Sequence, residues 1–338
     1  MKKASKVFAP LTTNCAVLHR PLRRRFFECR VNFFSNGGVQ MGTRLTAKEI
    51  AERRAKRLDR RPVSDKDMAK NSLFIEGSMR MYYRHLAIVE PVNVDPKAWP
   101  AKLDQTHEHI LSSYMAALTA YYGGDNLKAR KSPLLMTAAI PYFESSSLNF
   151  KTNLEKGAHD ILVFPDSVRV HNITPSHTVY ADNVSTFAVQ KLVNKSLEKN
   201  LDLIAFLDEQ NLRYTRMEHA YHMMVCGHAS RDERCGCKGP KLLQWLKELA
   251  PEAKMPLNLW ISSHYGGHRY AAACIVYPSG DWFGLLNDKD KAKAMLDAVN
   301  NKDPLCVYKL WRGRIGLSSQ EIHHAMKEKI VTIDECAP

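Results

Sequence analysis

Apolar and polar positions between residues 84 and 300 fall into short runs separated by Gly, Pro and Asp turns, and each run reads as one element of an α/β fold. His85 to Val89 (HLAIV) and Leu134 to Ile140 are continuous apolar stretches of strand length. Between them, Lys102 to Tyr122 has the spacing of an amphipathic helix and stops at Gly123-Gly124. Asp160 to Phe164 and Val168 to Val170 form a short pair around the turn Pro165-Asp166. Thr186 to Asn211 then reads as helix, with Leu192, Leu197, Leu201, Ile204 and Leu207 recurring at core spacing.

The later half repeats this order. Ala220 to Cys226 is a predicted strand leading into a cysteine loop, and Pro240 to Leu249 a helix with Pro in its first turn. Leu257 to Ser262 is a strand leading into a histidine loop. Ala271 to Tyr277 and Trp282 to Leu285 make a hairpin across Pro278-Ser279-Gly280, and Asp288 to Val299 closes with a helix. Strand, helix, strand, hairpin, helix is the element order of a thioredoxin-like unit, and residues 84–211 follow it less clearly. The pattern therefore predicts an α/β protein of two thioredoxin-like halves, 84–212 and 213–300. The remaining 301–338 carry W-R-G-R-I-G-L-S-S-Q-E at Trp311 to Glu321 and a helix capped by Ser318 or Ser319 that runs to Lys329. They read as a docking extension without chemistry of its own.

Charge divides the chain more sharply than hydropathy does. Of the formal +14, residues 1–70 supply 18 Lys or Arg against 6 acids, whereas the remaining 268 residues hold 31 against 29. Residues 1–40 carry Lys2, Lys3, Lys6, Arg20, Arg23, Arg24, Arg25 and Arg30 with Glu28 as their one acid, the composition of a mitochondrial transit peptide or a basic tail. Residues 41–83 form a basic extension with a helix beginning at Thr46, where Glu49 completes a capping box. Arg53, Arg54, Lys56, Arg57, Arg60 and Arg61 crowd that helix, so it suits either phosphate binding or a solvated face. No run reaches the roughly 20 apolar residues needed to cross a bilayer.

Candidate chemistry concentrates in residues 226–268. Of eight cysteines, Cys226, Cys235 and Cys237 crowd into one stretch, which is the usage of a reduced compartment with one metal or redox site. Cys226 and Cys235 flank the eight residues G-H-A-S-R-D-E-R, with Ser230, Arg231, Asp232 and Arg234 giving a charged setting that favours thiolates. His264 and His268 flank Tyr265-Gly266-Gly267, and the two glycines argue for a loop that wraps closely around a ligand. Two thiols and two imidazoles suit structural zinc, although the cysteine spacing is longer than usual. Cys226-Gly-His228 is half of a Rieske pattern, and Cys235-x-Cys237 is a poor substitute for a dithiol redox motif.

The joint signature is more specific than its parts. C-G-H-A-S-R-D-E-R-C-G, then K-G-P-x-L, S-H-x-G-G-H-R-Y-A and D-W-F-G resemble the sucrase/ferredoxin-like family, a bis-histidine branch of the thioredoxin-like ferredoxins. Trp99-Pro100 and L-V-F-P-D at Leu162 to Asp166 extend the resemblance over about residues 85 to 320. The resemblance implies a ferredoxin-type C-terminal half, in which Cys226 and Cys235 hold one iron of a [2Fe–2S] cluster and His264 and His268 the other. Arg269 stands where the family more often has Lys, and Cys237 is an additional thiol. Ser230, Arg231, Gly266, Gly267 and Cys237 would surround the centre.

The expected function is a mitochondrial-matrix electron carrier or redox sensor with an unidentified redox partner. No nucleophile–base pair or phosphate-binding Gly loop marks the chain as a catalyst. The competing expectation is a subunit of a mitochondrial ribonucleoprotein, such as the mitochondrial ribosome, that binds rRNA and ribosomal proteins through its basic N-terminus.

Overall fold

A computed structural model describes residues 75–328, apart from 91–93, 107–108, 146–157, 174–186 and 218. The basic residues 1–40, the capping-box helix with Arg53 to Arg61, and Cys15, Cys29 and Cys336 lie outside the described residues.

The eight predicted strands, joined by two that the pattern did not predict, at Tyr214–Arg216 and Trp311–Arg314, form a single ten-stranded sheet of order β10-β9-β8-β6-β7-β2-β1-β3-β4-β5. Its first half comprises β1 (Arg84–Val89), β2 (Leu134–Glu144), β3 (His159–Phe164), β4 (Val168–Ile173) and β5 (Tyr214–Arg216). Its second comprises β6 (Tyr221–Cys226), β7 (Leu257–Ser262), β8 (Cys274–Tyr277), β9 (Asp281–Phe283) and β10 (Trp311–Arg314). β1 pairs parallel with β2 and antiparallel with β3, and β6 pairs parallel with β7 and antiparallel with β8. The antiparallel steps outward to β4 and β5 are matched by those to β9 and β10. Strand order and sense therefore repeat, and β2 and β7 join the two sets antiparallel, with Ala139 opposite Ser262 and Ile140 opposite Ile261.

The continuous apolar runs are explained by burial on both faces. All six residues of β1, and all six of β6, are buried. Alternation along β1 splits its side chains between two cores: Ala87 and Val89 join one that includes Met224, Leu243 and Trp260, whereas Leu86 and Ile88 join one with Tyr114, Leu118 and Leu192. Helices α1 (Ile110–Tyr121), α2 (Asn126–Arg130), α3 (Phe187–Lys195) and α4 (Leu203–Glu209) accompany the first half, and α5 (Glu233–Leu249), α6 (Lys289–Asn300) and α7 (Ser319–Glu328) the second. None of the described helices is long and apolar enough to cross a membrane.

Four helical or extended segments differ from the pattern-based expectation, each for a local reason. The helix expected from Lys102 begins at Ile110, after a separate turn at Leu103–Gln105, because His109 caps it and its side chain accepts from the Leu111 amide. The helix expected over 186–211 breaks between α3 and α4. There Asp202 caps α4, and the Arg84 guanidinium collects the carbonyls of Glu198 and Leu201 while pairing with Asp166. Helix α5 starts at Glu233 rather than Pro240, with Asp232 as its cap, so Pro240 sits inside it. Finally, residues 301–328, expected as a docking extension, supply a strand of the sheet: β10 closes its edge, the Gly77 amide donates to the Arg312 carbonyl (2.9 Å), and the Gly316 amide donates to the Tyr82 carbonyl (3.0 Å).

Candidate metal centre

Cys226 ends β6 and Ser262 ends β7 opposite it, so the cysteine and histidine segments leave the sheet side by side at the carboxyl ends of two parallel strands. Helix α5 returns across this edge. Gly239 permits the contact, since a Cβ there would stand 2.3 Å from the Cys226 carbonyl oxygen. Gly236 does the same against Ala229, where the gap would be 2.4 Å. Cys235 consequently lies in the first turn of α5 rather than on a loop, facing Cys226 from the positive end of the helix.

The sulfurs of Cys226 and Cys235 and a ring nitrogen of His264 lie within 4.8 Å of one another. Cys226 Sγ is 3.9 Å from His264 Nδ1. Both thiols are free and buried. The neighbouring Cys235 thiol holds the Cys226 pKa well below the ordinary thiol range, while the proximity of Cys226 and burial raise that of Cys235. His268 stands beside this group without joining it, its ring centroid 5.4 Å from that of His264 and its Nε2 3.8 Å from Asp232. Partial burial lowers the His268 pKa against the opposing pull of Asp232. Gly266 and Gly267, at φ +105° and +74°, supply the left-handed backbone that turns the chain between the two histidines.

The first half of the sheet holds this loop in place. Ser263 and Ala138 exchange two bonds, amide to carbonyl at 2.8 Å and amide to hydroxyl at 2.9 Å. His228 accepts from the His264 amide at Nδ1 (3.2 Å) and donates from Nε2 to the Pro100 carbonyl (3.0 Å). Burial drops the His228 pKa to about 4, in keeping with a neutral ring engaged at both nitrogens. Trp99 meets the His228 ring edge-on at 5.4 Å, its carbonyl accepts from the Ser230 hydroxyl, and its indole donates to Glu90 (2.9 Å), which also bonds His109. The Tyr265 hydroxyl accepts from the Cys226 amide (3.2 Å) and donates to the Ala273 carbonyl (2.7 Å).

Of the residues expected around the centre, Ser230 serves through Trp99 and Gly266 and Gly267 shape the loop. Arg231 is exposed and lines a cleft of about 310 Å³ that His228 and His264 also border. Arg234, expected to act on the thiols, is paired with Asp232 at 2.9 Å. Cys237 is exposed and outside the sulfur–nitrogen group. Sequence reasoning missed two residues: His228, whose position in C-G-H suggested a ligand, and Arg312 in the tail. The Arg312 guanidinium is buried 5.0 Å above the rings of both Tyr270 and Trp282.

The donors fit a thiophilic metal: two thiols, one already disposed to lose its proton, and an imidazole converge, with a second imidazole adjacent. Comparison with known proteins agrees with the resemblance carried by the motifs. The chain is 26% identical over 266 residues to "Altered inheritance of mitochondria protein 32" of Kluyveromyces lactis, covering 72% of this chain and 73% of the relative. It is 33% identical over 231 residues to the Meyerozyma guilliermondii protein of the same name, covering 64% and 76%. No solved structure matches. The sucrase/ferredoxin-like family model matches residues 75–313, which include the whole sheet apart from Arg314, and the chain belongs to that family.

Proposed function

We propose that the protein is a mitochondrial one-electron carrier or redox sensor whose [2Fe–2S] centre is held by Cys226, Cys235, His264 and His268. The observation that carries this reading is the convergence of two free thiols and the His264 imidazole within 4.8 Å, with His268 next to them. Such a centre, when bound, takes up and releases one electron without breaking bonds in the protein. Neutral imidazoles in place of two thiolates make it less negative and easier to reduce than an all-cysteine cluster. The chain's own contribution is to hold the ligands on rigid strand and helix ends, and to leave His268 side-chain surface open at 46% exposure. The repeated order of β1 to β4 and β6 to β9 supports two thioredoxin-like halves, with the centre in the second. The names of the relatives, together with the acid-poor basic residues 1–40, support a mitochondrial location, for which the matrix is our assignment. The test is iron, sulfide and zinc analysis of the purified protein alongside its absorption and EPR spectra. About two irons and two sulfides per chain are expected.

One observation favours a second reading. The 3.9 Å between Cys226 Sγ and His264 Nδ1 is close to the edge of one tetrahedron with metal bonds of about 2.0–2.3 Å, which suits a single zinc ion. Stoichiometric zinc with no sulfide in the same analysis would select it.

A further inference from the structure

The Arg312 guanidinium is buried beneath the histidine loop, and no carboxylate among the described residues pairs with it. The residue is 1% exposed. Its Nε donates to the Ser78 hydroxyl and its Nη2 to the Ser78 carbonyl, both at 3.0 Å, and Nη1 has no partner among the described residues. The guanidinium presses against the turn between His264 and His268: a Cβ on Gly267 would meet Nη2 at 2.1 Å. Trp282, one of the two rings beneath it, lies 5.1 Å from the Tyr265 ring, whose hydroxyl holds the Cys226 amide. Burial pulls its pKa down to about 10, so it remains charged near neutrality.

A buried cation is costly unless negative charge offsets it. Two neutral carbonyl-type or hydroxyl acceptors and two electron-rich rings offset part of that cost. What remains is an uncompensated positive charge packed against the turn between His264 and His268, beside a centre where negative charge would accumulate. An oxidised two-iron, two-sulfide core with two thiolates and two neutral imidazoles has no net charge, and adding one electron makes it −1. No bond forms or breaks, and the electron comes from a one-electron donor.

We propose that Arg312 is a positioning residue for the centre: it braces the Gly267 turn that carries the histidines, and its charge stabilises the reduced form and raises the reduction potential. This inference rests on the [2Fe–2S] reading. The test uses the full chain and three variants. R312K keeps the charge, R312M removes it, and S78D sets a carboxylate beside Nε and so pairs the charge without touching Arg312. Iron and sulfide content, the EPR spectrum and the melting temperature of the metal-free protein are recorded for each before redox titration.

At a fixed ambient potential, R312M and S78D should lower the ratio of reduced to oxidised centre about tenfold, equivalent to about 59 mV for a one-electron couple, and R312K should stay near wild type. If R312M does not fold, S78D decides. Loaded R312M and S78D proteins that keep the wild-type potential would overturn the proposal, as would an equal shift in R312K and R312M, which would reveal a role for shape alone. Absence of iron and sulfide from the wild type would instead sink the reading of the centre, and this inference with it.

Discussion

The backbone amide of His264 donates to Nδ1 of His228 at 3.2 Å, so the ring of one histidine fixes where the other stands. The far side of that ring is tied to Pro100, so a segment before the first helix helps to position the histidine loop in the second half of the sheet. Partners that orient metal ligands in this way commonly govern affinity as strongly as weaker ligands do.

Replacing His228 by Ala should therefore weaken metal retention about 10–100-fold while leaving the fold in place. Competition against a chelator of known affinity measures the loss. Unchanged retention would mean that the Ser263–Ala138 pair alone holds the loop.

Cys226→Ser or Cys235→Ser should abolish stoichiometric loading, because each removes one of the two convergent sulfurs. Cys237→Ser should not, since that thiol is exposed and outside the group. Metal analysis of the three variants separates these outcomes, and loss of metal from the Cys237 variant alone would redraw the site.

Gly239→Ala tests the packing that brings α5 to the sheet edge. The added methyl would stand 2.3 Å from a backbone oxygen, so the helix or Cys226 must move. A destabilisation of about 1–3 kcal/mol is expected, read from the denaturation midpoint of the metal-free protein. A neutral effect would show that α5 is free to slide.

Buried neutral histidines should make the metal-free protein acid-sensitive. Burial lowers His85 to about 3 and His222 to about 4, from 6.5. Because the unfolded chain binds protons that the folded chain does not, this stability is complete above about pH 6.5 and is lost as pH falls toward those folded values. Denaturation midpoints should drop between about pH 7 and about pH 4.5, and a flat profile would place these rings in water.

Reduction of the proposed centre should favour protonation of its histidines, of which His268 is half exposed. The potential should then fall with rising pH, approaching about 59 mV per unit for one proton per electron. A value constant from about pH 6 to about pH 10 would defeat that coupling.

The sequence by itself determined eight of the ten strands and singled out the candidate donors. Continuous apolar runs such as HLAIV and LNLWIS report burial on both sheet faces, which is a local property of composition. The two Cys and two His stand out because their spacing and glycines are visible in one short stretch. Helix starts were not legible where capping depended on distant partners: His109 takes its cap position while bound to Glu90, and Arg84 gathers carbonyls from the break between α3 and α4. Tertiary structure alone decided where His228 and Arg312 sit. Their partners Pro100 and Ser78 lie 128 and 234 residues away, and no periodicity in a chain encodes a contact across that separation. It also decided that Cys235 faces Cys226 from a helix, because only the closeness of α5 to the strand end, through Gly236 and Gly239, sets that geometry.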